Sequence, residues 1–316
     1  MDSPTIALIF PGQGSQIVGM GKDLAEKYPA ARHTFEEADE ALGYKLSQLC
    51  FEGPEESLRL TEVTQPAILT ASIAALRVLE TRMAKPGFVA GHSLGEYSAH
   101  VASGTFAFAD AVRTVRNRGK YMQEAVPVGV GAMAAIVGMD LGQVTLVCQE
   151  AARGEVCSPA NVNSPEQIVV SGNTAAVERA VKLADARGAK RAKLLPVSAP
   201  FHCSLMKPAQ DRLAADLKKL EMHKPVYPIA CNVDALLVSD EQRALDTLVR
   251  QVTGAVQWDQ CVRRLISQGA NTFLEVGPGK VLWGLMRQID RSKTALQVGD
   301  DASLAKALEA LGQVQA

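Results

Sequence analysis

A serine between two glycines is the feature of this chain that points most directly to covalent chemistry. Residues 91–95 read Gly-His-Ser-Leu-Gly, directly after an apolar run at 88–90 and directly before a helix-like segment at 96–103. On such a strand-turn-helix path the serine hydroxyl projects above the sheet, and the helix N-terminus offers N–H groups to a developing oxyanion. The pattern predicts acyl chemistry on Ser93; the alternative is an ordinary glycine-flanked turn between strand and helix.

A serine nucleophile needs a base, and His202 is the histidine whose position fits that role best. It follows residues 192–197, the last predicted strand of a small domain, so we expect it where two domains meet. Clefts at domain junctions are frequent catalytic sites. The alternative is a structural imidazole. Four other histidines fit surface or structural positions better: His33, His92, His100 and His223.

Arg118 is the basic residue that could give such a site a preference for an acidic acyl group. The helical segment 109–124 carries an apolar stripe through Val112, Val115, Gly119 and Met122. At about 100° per residue, Arg118 lies at the edge of that stripe, whereas the other basic side chains point away from it. Turned inward, its guanidinium could bind a carboxylate through two parallel hydrogen bonds. The alternative is a solvated arginine whose stem packs on the stripe.

The elements that must position these residues alternate between strand-like and helical segments, which indicates an α/β fold. We expect a large α/β-hydrolase-like domain built on a parallel sheet. The strand-like segments of this domain are 6–10, 88–90, 227–233 and 272–276. Its clearest helical segments are 55–60, 65–79, 109–124, 258–268 and 303–311.

Residues 129–197 follow a different order and are expected to form an inserted small domain. Strands are predicted at 132–137, 156–161, 167–171 and 192–197, with helices at 141–152 and 174–187. This β-α-β-β-α-β order is that of ferredoxin-like domains. The large domain would then comprise residues 1–128 and 198–316.

Composition and charge exclude several classes of protein. With 47% hydrophobic and 21% charged residues in 316, the chain can build a full core and is not disordered. A net charge of −1 gives no field that would attract nucleic acid or an anionic membrane. No signal peptide or membrane span is predicted, and six scattered cysteines without a C-x-x-C pair suit reduced thiols. We expect a cytoplasmic monomer with neither a nucleic-acid nor a membrane partner.

Four motifs together resemble those of malonyl-CoA:acyl carrier protein transacylases. They are Phe-Pro-Gly-Gln-Gly-Ser-Gln at 10–16, Gly-His-Ser-Leu-Gly-Glu at 91–96, Val-Ser-Ala-Pro-Phe-His at 197–202 and Glu-Val-Gly-Pro-Gly-Lys at 275–280. The resemblance extends over nearly the whole chain. The glycine-rich motifs have neither the spacing of a phosphate-binding loop nor a full dinucleotide fingerprint. No cofactor is therefore expected.

The resemblance implies a role for each candidate residue at the serine. Ser93 would be the acylated nucleophile, and His202 would be the base that takes its proton. Arg118 would bind the malonyl carboxylate. The main-chain N–H groups of Gln13 and Leu94 would form the oxyanion hole.

The resemblance also implies a carbonyl in place of the usual triad acid and polar groups from the small domain. Gln251 lies where the family places a glutamine near the histidine, so its main-chain carbonyl could orient the imidazole. Asn161 and Asn163 resemble small-domain asparagines that face the cleft. Relatives often carry a proline in the segment 254–258, and this chain has none there.

The implied reaction is a double displacement in which malonyl-CoA acylates Ser93 and the phosphopantetheine thiol of acyl carrier protein accepts the malonyl group. Malonyl-CoA is a substrate rather than a cofactor, and the carrier protein is a transient partner. Three alternatives stay open: a stand-alone acyltransferase of a polyketide synthase, a serine esterase and a catalytically silent carrier-docking protein. Polyketide transferases share the chemistry but use another carrier, and an esterase normally has an acid between serine and histidine.

Overall fold

The computed structural model describes residues 5–197 and 199–312, which form two β-sheets covered by helices. The strands are β1 (Ile6–Phe10), β2 (Phe88–Gly91), β3 (Gly131–Val137), β4 (Cys157–Ser164), β5 (Gln167–Asn173), β6 (Arg191–Leu194), β7 (Ile229–Ala230), β8 (Leu237–Val238), β9 (Thr272–Val276) and β10 (Thr294–Val298). The helices are α1 (Lys22–Lys27), α2 (Pro29–Leu42), α3 (Leu46–Glu52), α4 (Glu55–Leu58), α5 (Thr61–Leu79), α6 (Gly95–Ala102), α7 (Phe108–Glu124), α8 (Leu141–Ala152), α9 (Thr174–Ala186), α10 (Lys207–Leu217), α11 (Glu241–Gln251), α12 (Trp258–Ser267), α13 (Val281–Ile289) and α14 (Asp301–Ala310). A short 3₁₀ turn, Ser204–Met206, precedes α10.

The larger sheet has the strand order β10-β9-β1-β2-β7-β8, and all its pairs are parallel except that of β7 with β8. Its central strand β1 is buried over its whole length. Ile6, Leu8 and Phe10 pack into the core that includes α5 and α7, whereas Ala7 and Ile9 pack against α12 and α13. A strand with helices on both faces must be apolar throughout, which explains the continuous apolar run.

The smaller sheet has the order β4-β5-β3-β6, and its neighbouring strands are antiparallel. Helices α8 and α9 supply apolar side chains to a core of its own. The predicted element order along 129–197 is the one observed. The strand predicted at 192–197 is shorter, because Pro196 has no N–H to continue the ladder. The boundary predicted at residue 198 falls outside the described part of the chain.

The strand predicted at 227–233 is also shorter than expected, since only Ile229–Ala230 pair in the sheet. After Ala230 the chain turns, and the Ala235 N–H donates to the Cys231 carbonyl at 3.0 Å. Asn232 therefore lies just beyond the carboxyl end of a parallel strand. Among the described residues, no helix is long and apolar enough to cross a membrane.

Helices α5 and α7 approach closely, and Gly119 makes that approach possible. The predicted apolar stripe of α7 is buried, with Val112, Val115, Gly119 and Met122 in contact with the core. A Cβ atom on Gly119 would lie 2.5 Å from the main-chain oxygen of Thr61 at the start of α5. The spacing of these two helices, one of which carries Arg118, is therefore set by main-chain contact.

We expect Gly119→Ala to lower the free energy of unfolding by about 1–3 kcal/mol, because the added methyl group meets main chain that cannot move aside. Gly284→Ala on α13 is the matched control, since a Cβ there has nothing within 4 Å. That change should stabilise the helix by up to about 1 kcal/mol. Urea unfolding of both variants measures the difference, and equal effects of the two substitutions would contradict the close-packing argument.

Candidate active site

The turn that carries Ser93 is held in a conformation that only its glycine-flanked sequence permits. Ser93 has φ 51°, in the left-handed region that non-glycine residues rarely adopt. A Cβ on Gly91 would lie 1.9 Å from main-chain atoms of Gly95, and one on Gly95 would lie 2.1 Å from the Phe10 carbonyl oxygen. The two glycines thus let α6 begin directly over the ends of β1 and β2. Ser93 consequently points out of the sheet edge, as predicted.

Ser93 and His202 form a hydrogen-bonded pair. The Ser93 Oγ lies 2.7 Å from Nε2 of His202, and Nδ1 of that ring lies 2.9 Å from the main-chain oxygen of Gln251. Because a carbonyl can only accept, Nδ1 carries the hydrogen and Nε2 is the free base that faces the serine. Burial, together with the nearby positive charge of Arg118, lowers the pKa of His202 to about 3. The imidazole is therefore neutral at physiological pH, and its unprotonated Nε2 faces the serine hydroxyl.

Arg118 is buried beside this pair, with 1% of its surface exposed. Its Nη1 donates to Gln65 Oε1 at 2.8 Å, and its Nη2 donates to Ser93 Oγ at 3.0 Å and to Gln251 Oε1 at 2.9 Å. The inward orientation predicted for this arginine is observed, and the solvated alternative is wrong. Burial lowers the pKa of the guanidinium, which nevertheless stays charged because its ordinary pKa is so high.

A cleft of about 280 Å³ opens over these three side chains, between the larger and the smaller sheet. Its lining residues are Gly12, Gln13, Ser15, Gln65, His92, Ser93, Arg118, Met122, Met133, Ala135, Asn161, Asn163, Gln167, Val169, Leu195, Val197, Phe201, His202, Val281, Leu282 and Leu285. Among the described residues that line it there is no aspartate or glutamate. A wider groove of about 1010 Å³ adjoins the cleft, and Gln13, Leu195 and Val197 line both.

The small-domain asparagines lie at this cleft, as the sequence predicts. Asn163 Oδ1 lies 2.8 Å from Nε2 of His92, the residue before the serine. Asn161 is 7% exposed and also lines the cleft. Next to it, the Val162 N–H donates to the Val256 carbonyl at 2.8 Å, and the Val256 N–H donates to the Ala160 carbonyl at 2.8 Å. These main-chain bonds hold the smaller sheet against the segment that follows Gln251.

The main-chain N–H groups predicted to form an oxyanion hole belong to Gln13, which lines the same cleft as Ser93, and to Leu94. Gln13 lies in the loop after β1, and Leu94 directly follows the serine at the start of α6. Within the described part of the chain, neither N–H donates a main-chain hydrogen bond. Gly12 brings the loop close, since a Cβ on it would lie 2.4 Å from the His92 carbonyl oxygen.

Three residues of the site were not identified from the sequence: Gln65, Glu96 and Asn232. Asn232 Oδ1 accepts from the Ser93 N–H at 2.6 Å, and its Nδ2 donates to the Gly91 carbonyl at 2.7 Å. Glu96 Oε2 accepts from the Asn232 N–H at 3.0 Å. Two signals could have indicated them. Glu96 immediately follows the serine motif, and Asn232 follows a strand that ends at the same sheet edge as β2.

The whole chain resembles known acyltransferases in both sequence and structure. Residues 7–310 match the acyl transferase domain family. The malonyl CoA-acyl carrier protein transacylase of Escherichia coli K12 is 51% identical over 304 residues, which cover 96% of this chain and 98% of that protein. The crystal structure of an acyl carrier protein S-malonyltransferase from Vibrio cholerae aligns with a TM-score of 0.94 at 48% identity, over 96% of this chain and 99% of the other.

A second solved structure shows a relative with its partner. It contains a type II polyketide synthase acyl carrier protein in complex with its malonyl-transacylase. It aligns with this chain at a TM-score of 0.94 and 48% identity, over 97% of this chain and 99% of the other. The regions that match these relatives therefore include both sheets and the site at Ser93.

The low pKa of His202 predicts how Ser93 reactivity depends on pH. Labelling of Ser93 by a neutral fluorophosphonate should change less than about threefold between about pH 8 and pH 5, because the imidazole does not gain a proton in that range. An ordinary histidine, with a pKa of about 6.5, would lose more than tenfold. Rates of Ser93 labelling, measured by mass spectrometry at each pH, check this prediction.

The same profile should be recorded for Glu96→Gln, because burial raises the pKa of the Glu96 carboxyl to about 7. That variant removes the carboxyl of the site that titrates in this range, and His202→Ala should not be labelled. A tenfold fall centred near pH 6.5 in both wild type and Glu96→Gln would contradict the assignment of His202 as a base that is neutral in the resting enzyme between pH 5 and pH 8.

Proposed function

This chain belongs to the acyl transferase domain family and, within it, to the malonyl CoA-acyl carrier protein transacylases, and on that premise we propose the following activity. It transfers the malonyl group of malonyl-CoA to the phosphopantetheine thiol of an acyl carrier protein and so supplies fatty-acid synthesis. One observation carries the choice of acyl group. A buried arginine lies 3.0 Å from the nucleophile, in a cleft whose described lining has no acidic side chain.

In the first half of the reaction Ser93 becomes acylated. Nε2 of His202 takes the Ser93 Oγ proton while Oγ attacks the thioester carbonyl carbon of malonyl-CoA. The tetrahedral intermediate collapses by breaking the carbon–sulfur bond. The leaving CoA sulfur takes the proton from His202, which restores the neutral imidazole and leaves malonyl-O-Ser93.

In the second half the carrier thiol repeats these steps in reverse. His202 removes the proton from the phosphopantetheine thiol, and the sulfur attacks the ester carbonyl of malonyl-O-Ser93. Collapse breaks the bond to Ser93 Oγ, and His202 returns the proton to that oxygen. Since the Gln251 carbonyl accepts from Nδ1, the ring keeps one orientation through both halves.

We propose that Arg118 holds the free carboxylate of the malonyl group. Its terminal nitrogens now donate to neutral oxygens of Gln65, Gln251 and Ser93, all of which a carboxylate can outcompete. Such a charge-assisted, two-pronged bond would also orient the thioester over Ser93. Acetyl groups lack the carboxylate and would gain none of this binding.

Each tetrahedral intermediate needs stabilisation of a negative oxygen, and we propose that the main-chain N–H groups of Gln13 and Leu94 supply it. Loss of one such donor costs about 3 kcal/mol, or on the order of a hundredfold in rate. Asn161 lines the same cleft and would contact the acyl or pantetheine part of the substrate. No cofactor is required, because the serine and histidine provide all the covalent chemistry.

The proposal extends to the organisation of the chain. Two sheets, the smaller of which has a core of its own with α8 and α9, support a large α/β-hydrolase-like domain, residues 1–128 and 198–316, and an inserted ferredoxin-like domain, residues 129–197. Because one chain supplies Ser93, His202 and Arg118, a monomer is sufficient for activity. We propose a cytoplasmic enzyme whose partners are malonyl-CoA and a carrier protein, and the net charge of −1 disfavours nucleic acid and an anionic membrane as partners.

A second candidate is a malonyltransferase that serves a polyketide synthase. It is favoured by the 48% identity to a malonyl-transacylase solved with a type II polyketide synthase carrier protein. The chemistry at Ser93 would be the same, and only the carrier would differ. The esterase alternative is disfavoured because Nδ1 of His202 donates to a carbonyl, not to a carboxylate, and because a buried arginine, Arg118, contacts the Ser93 hydroxyl.

Brief incubation with malonyl-CoA should add one malonyl group, confined to the peptide that contains Ser93. Ser93→Ala should remain unmodified, and acetyl-CoA should label the wild type only weakly. Arg118→Ala should reverse the preference, because the variant loses a charge-assisted bond worth about 2–5 kcal/mol to the malonyl group alone. Intact-protein and peptide mass spectrometry measure the extent and the position of acylation in wild type and in both variants.

The matched control for Arg118→Ala is Arg113→Ala, since Arg113 lies on the exposed face of the same helix and pairs with Asp110. That variant should keep the wild-type preference. If wild type leaves malonyl-CoA intact but hydrolyses neutral esters, the transferase assignment fails. Transfer to a fatty-acid carrier and to a polyketide carrier, compared side by side, separates the two candidate functions.

The oxyanion assignment predicts that Gly12→Ala lowers kcat by on the order of a hundredfold, because the added Cβ pushes the Gln13 N–H away from Ser93. Gln13→Ala keeps that N–H and should lose less than about tenfold. Steady-state kinetics with malonyl-CoA give both values. An equal loss in the two variants would assign the effect to the Gln13 side chain instead.

A further inference from the structure

The side chain of Gln251 lies between two fully buried ionisable side chains of this site, Arg118 and Glu96. Its Oε1 accepts from Arg118 Nη2 at 2.9 Å, and its Nε2 donates to Glu96 Oε2 at 2.7 Å. The same Nε2 donates to the Ser93 carbonyl at 2.9 Å. Arg118 thus contacts two amide oxygens and a hydroxyl, and no carboxylate, even though Glu96 is buried one amide away.

A buried guanidinium and a buried carboxylate this close would ordinarily pair directly. Both groups lose hydration on burial, and direct contact is the most effective compensation. Glu96 has none of its surface exposed, and burial raises the pKa of its carboxyl to about 7. A direct pair would occupy the donors of Arg118 that face Ser93, and a substrate carboxylate would then have to displace an internal one.

We propose that the Gln251 amide is a spacer that keeps Glu96 from pairing with Arg118, and that Glu96 fixes the orientation of that amide. Both would be positioning residues that determine the preference for a carboxylate-bearing acyl group. This inference rests on the proposed malonyl transfer. It assigns the selectivity to an ordered row of three side chains, Arg118, Gln251 and Glu96, and not to the arginine alone.

The contacts permit only one orientation of the amide. If the Gln251 amide were flipped, its NH₂ group would face the donors of Arg118, and its oxygen would face both Glu96 and the Ser93 carbonyl. All three contacts would be repulsive. Glu96 is itself held by the Asn232 N–H at 3.0 Å, so the acceptor that orients Gln251 is fixed to the main chain beyond β7.

The test uses Gln251→Ala, Glu96→Gln and the double variant, each assayed for kcat/KM with malonyl-CoA and with acetyl-CoA. Gln251→Ala keeps the main-chain carbonyl that orients His202, but it removes the spacer. We expect its malonyl preference to fall by about tenfold or more, because Glu96 then competes for Arg118. Glu96→Gln keeps an oxygen for Gln251 and should lose far less of the preference.

The double variant gives the decisive measurement, because a second substitution is expected to repair the first. With Glu96→Gln added to Gln251→Ala, no carboxylate competes for Arg118, and the malonyl preference should recover by at least about fivefold over Gln251→Ala. A merely structural role predicts the opposite, since two losses of buried hydrogen bonds should accumulate. A double variant no better than Gln251→Ala would overturn the spacer proposal, as would an unchanged preference in Gln251→Ala.

Two controls separate this inference from folding and from the proposed function. Asp39→Asn neutralises another buried carboxyl, which accepts from Ser47 away from the cleft, and it should leave the preference unchanged. Melting temperatures of all variants identify any that do not fold. If wild type shows no malonyl transfer, the proposed function fails. If wild type transfers malonyl but the double variant shows no repair, only the spacer proposal fails.

Discussion

The burial of one positive charge beside the nucleophile is the constraint to which the rest of the site conforms. Removing a guanidinium from water costs several kcal/mol, which its surroundings must offset. Helix α5 supplies Gln65, helix α11 supplies Gln251, and the ring of Tyr97 on α6 lies with its centroid 5.5 Å from Arg118 Cζ. Three helices therefore converge on a single side chain of a fourth, α7, and α5 packs closely on α7 at Gly119.

The nucleophile and its base depend on backbone strain that the sheet edge supports. Ser93 and His202 both have positive φ, 51° and 60°. Such conformations persist only where neighbouring contacts over-determine them. Here Asn232 joins the Ser93 N–H to the Gly91 carbonyl, and Gln251 contacts the serine through its side chain and the histidine through its main chain. Two residues thus orient the reacting pair.

The features of the fold and of the site that could be predicted from the sequence are those whose sequence pattern has a single physical cause. The glycines around Ser93 are required by main-chain contacts, and the buried side of α7 follows from helical periodicity. The order of strands and helices along residues 129–197 was predicted from turn residues and from the alternation of strand-like and helical segments. Gln65, Glu96 and Asn232 escaped prediction because amide and carboxyl contacts between distant segments leave no periodic trace. Strand β7 was predicted too long because its two paired residues resemble the apolar positions that flank them.

The cleft at Ser93 imposes an order of events on the two thiols. The cleft over the nucleophile has a volume of about 280 Å³, and it shares Gln13, Leu195 and Val197 with the wider groove beside it. CoA and the phosphopantetheine arm of the carrier would therefore reach Ser93 through the same opening. A single serine can react with only one of the two thiols at a time. Departure of the first product is then a precondition for arrival of the second substrate, so free CoA competes with the unloaded carrier thiol for malonyl-O-Ser93. The ratio of CoA to malonyl-CoA in the surrounding pool thereby becomes an input to the flux through this enzyme.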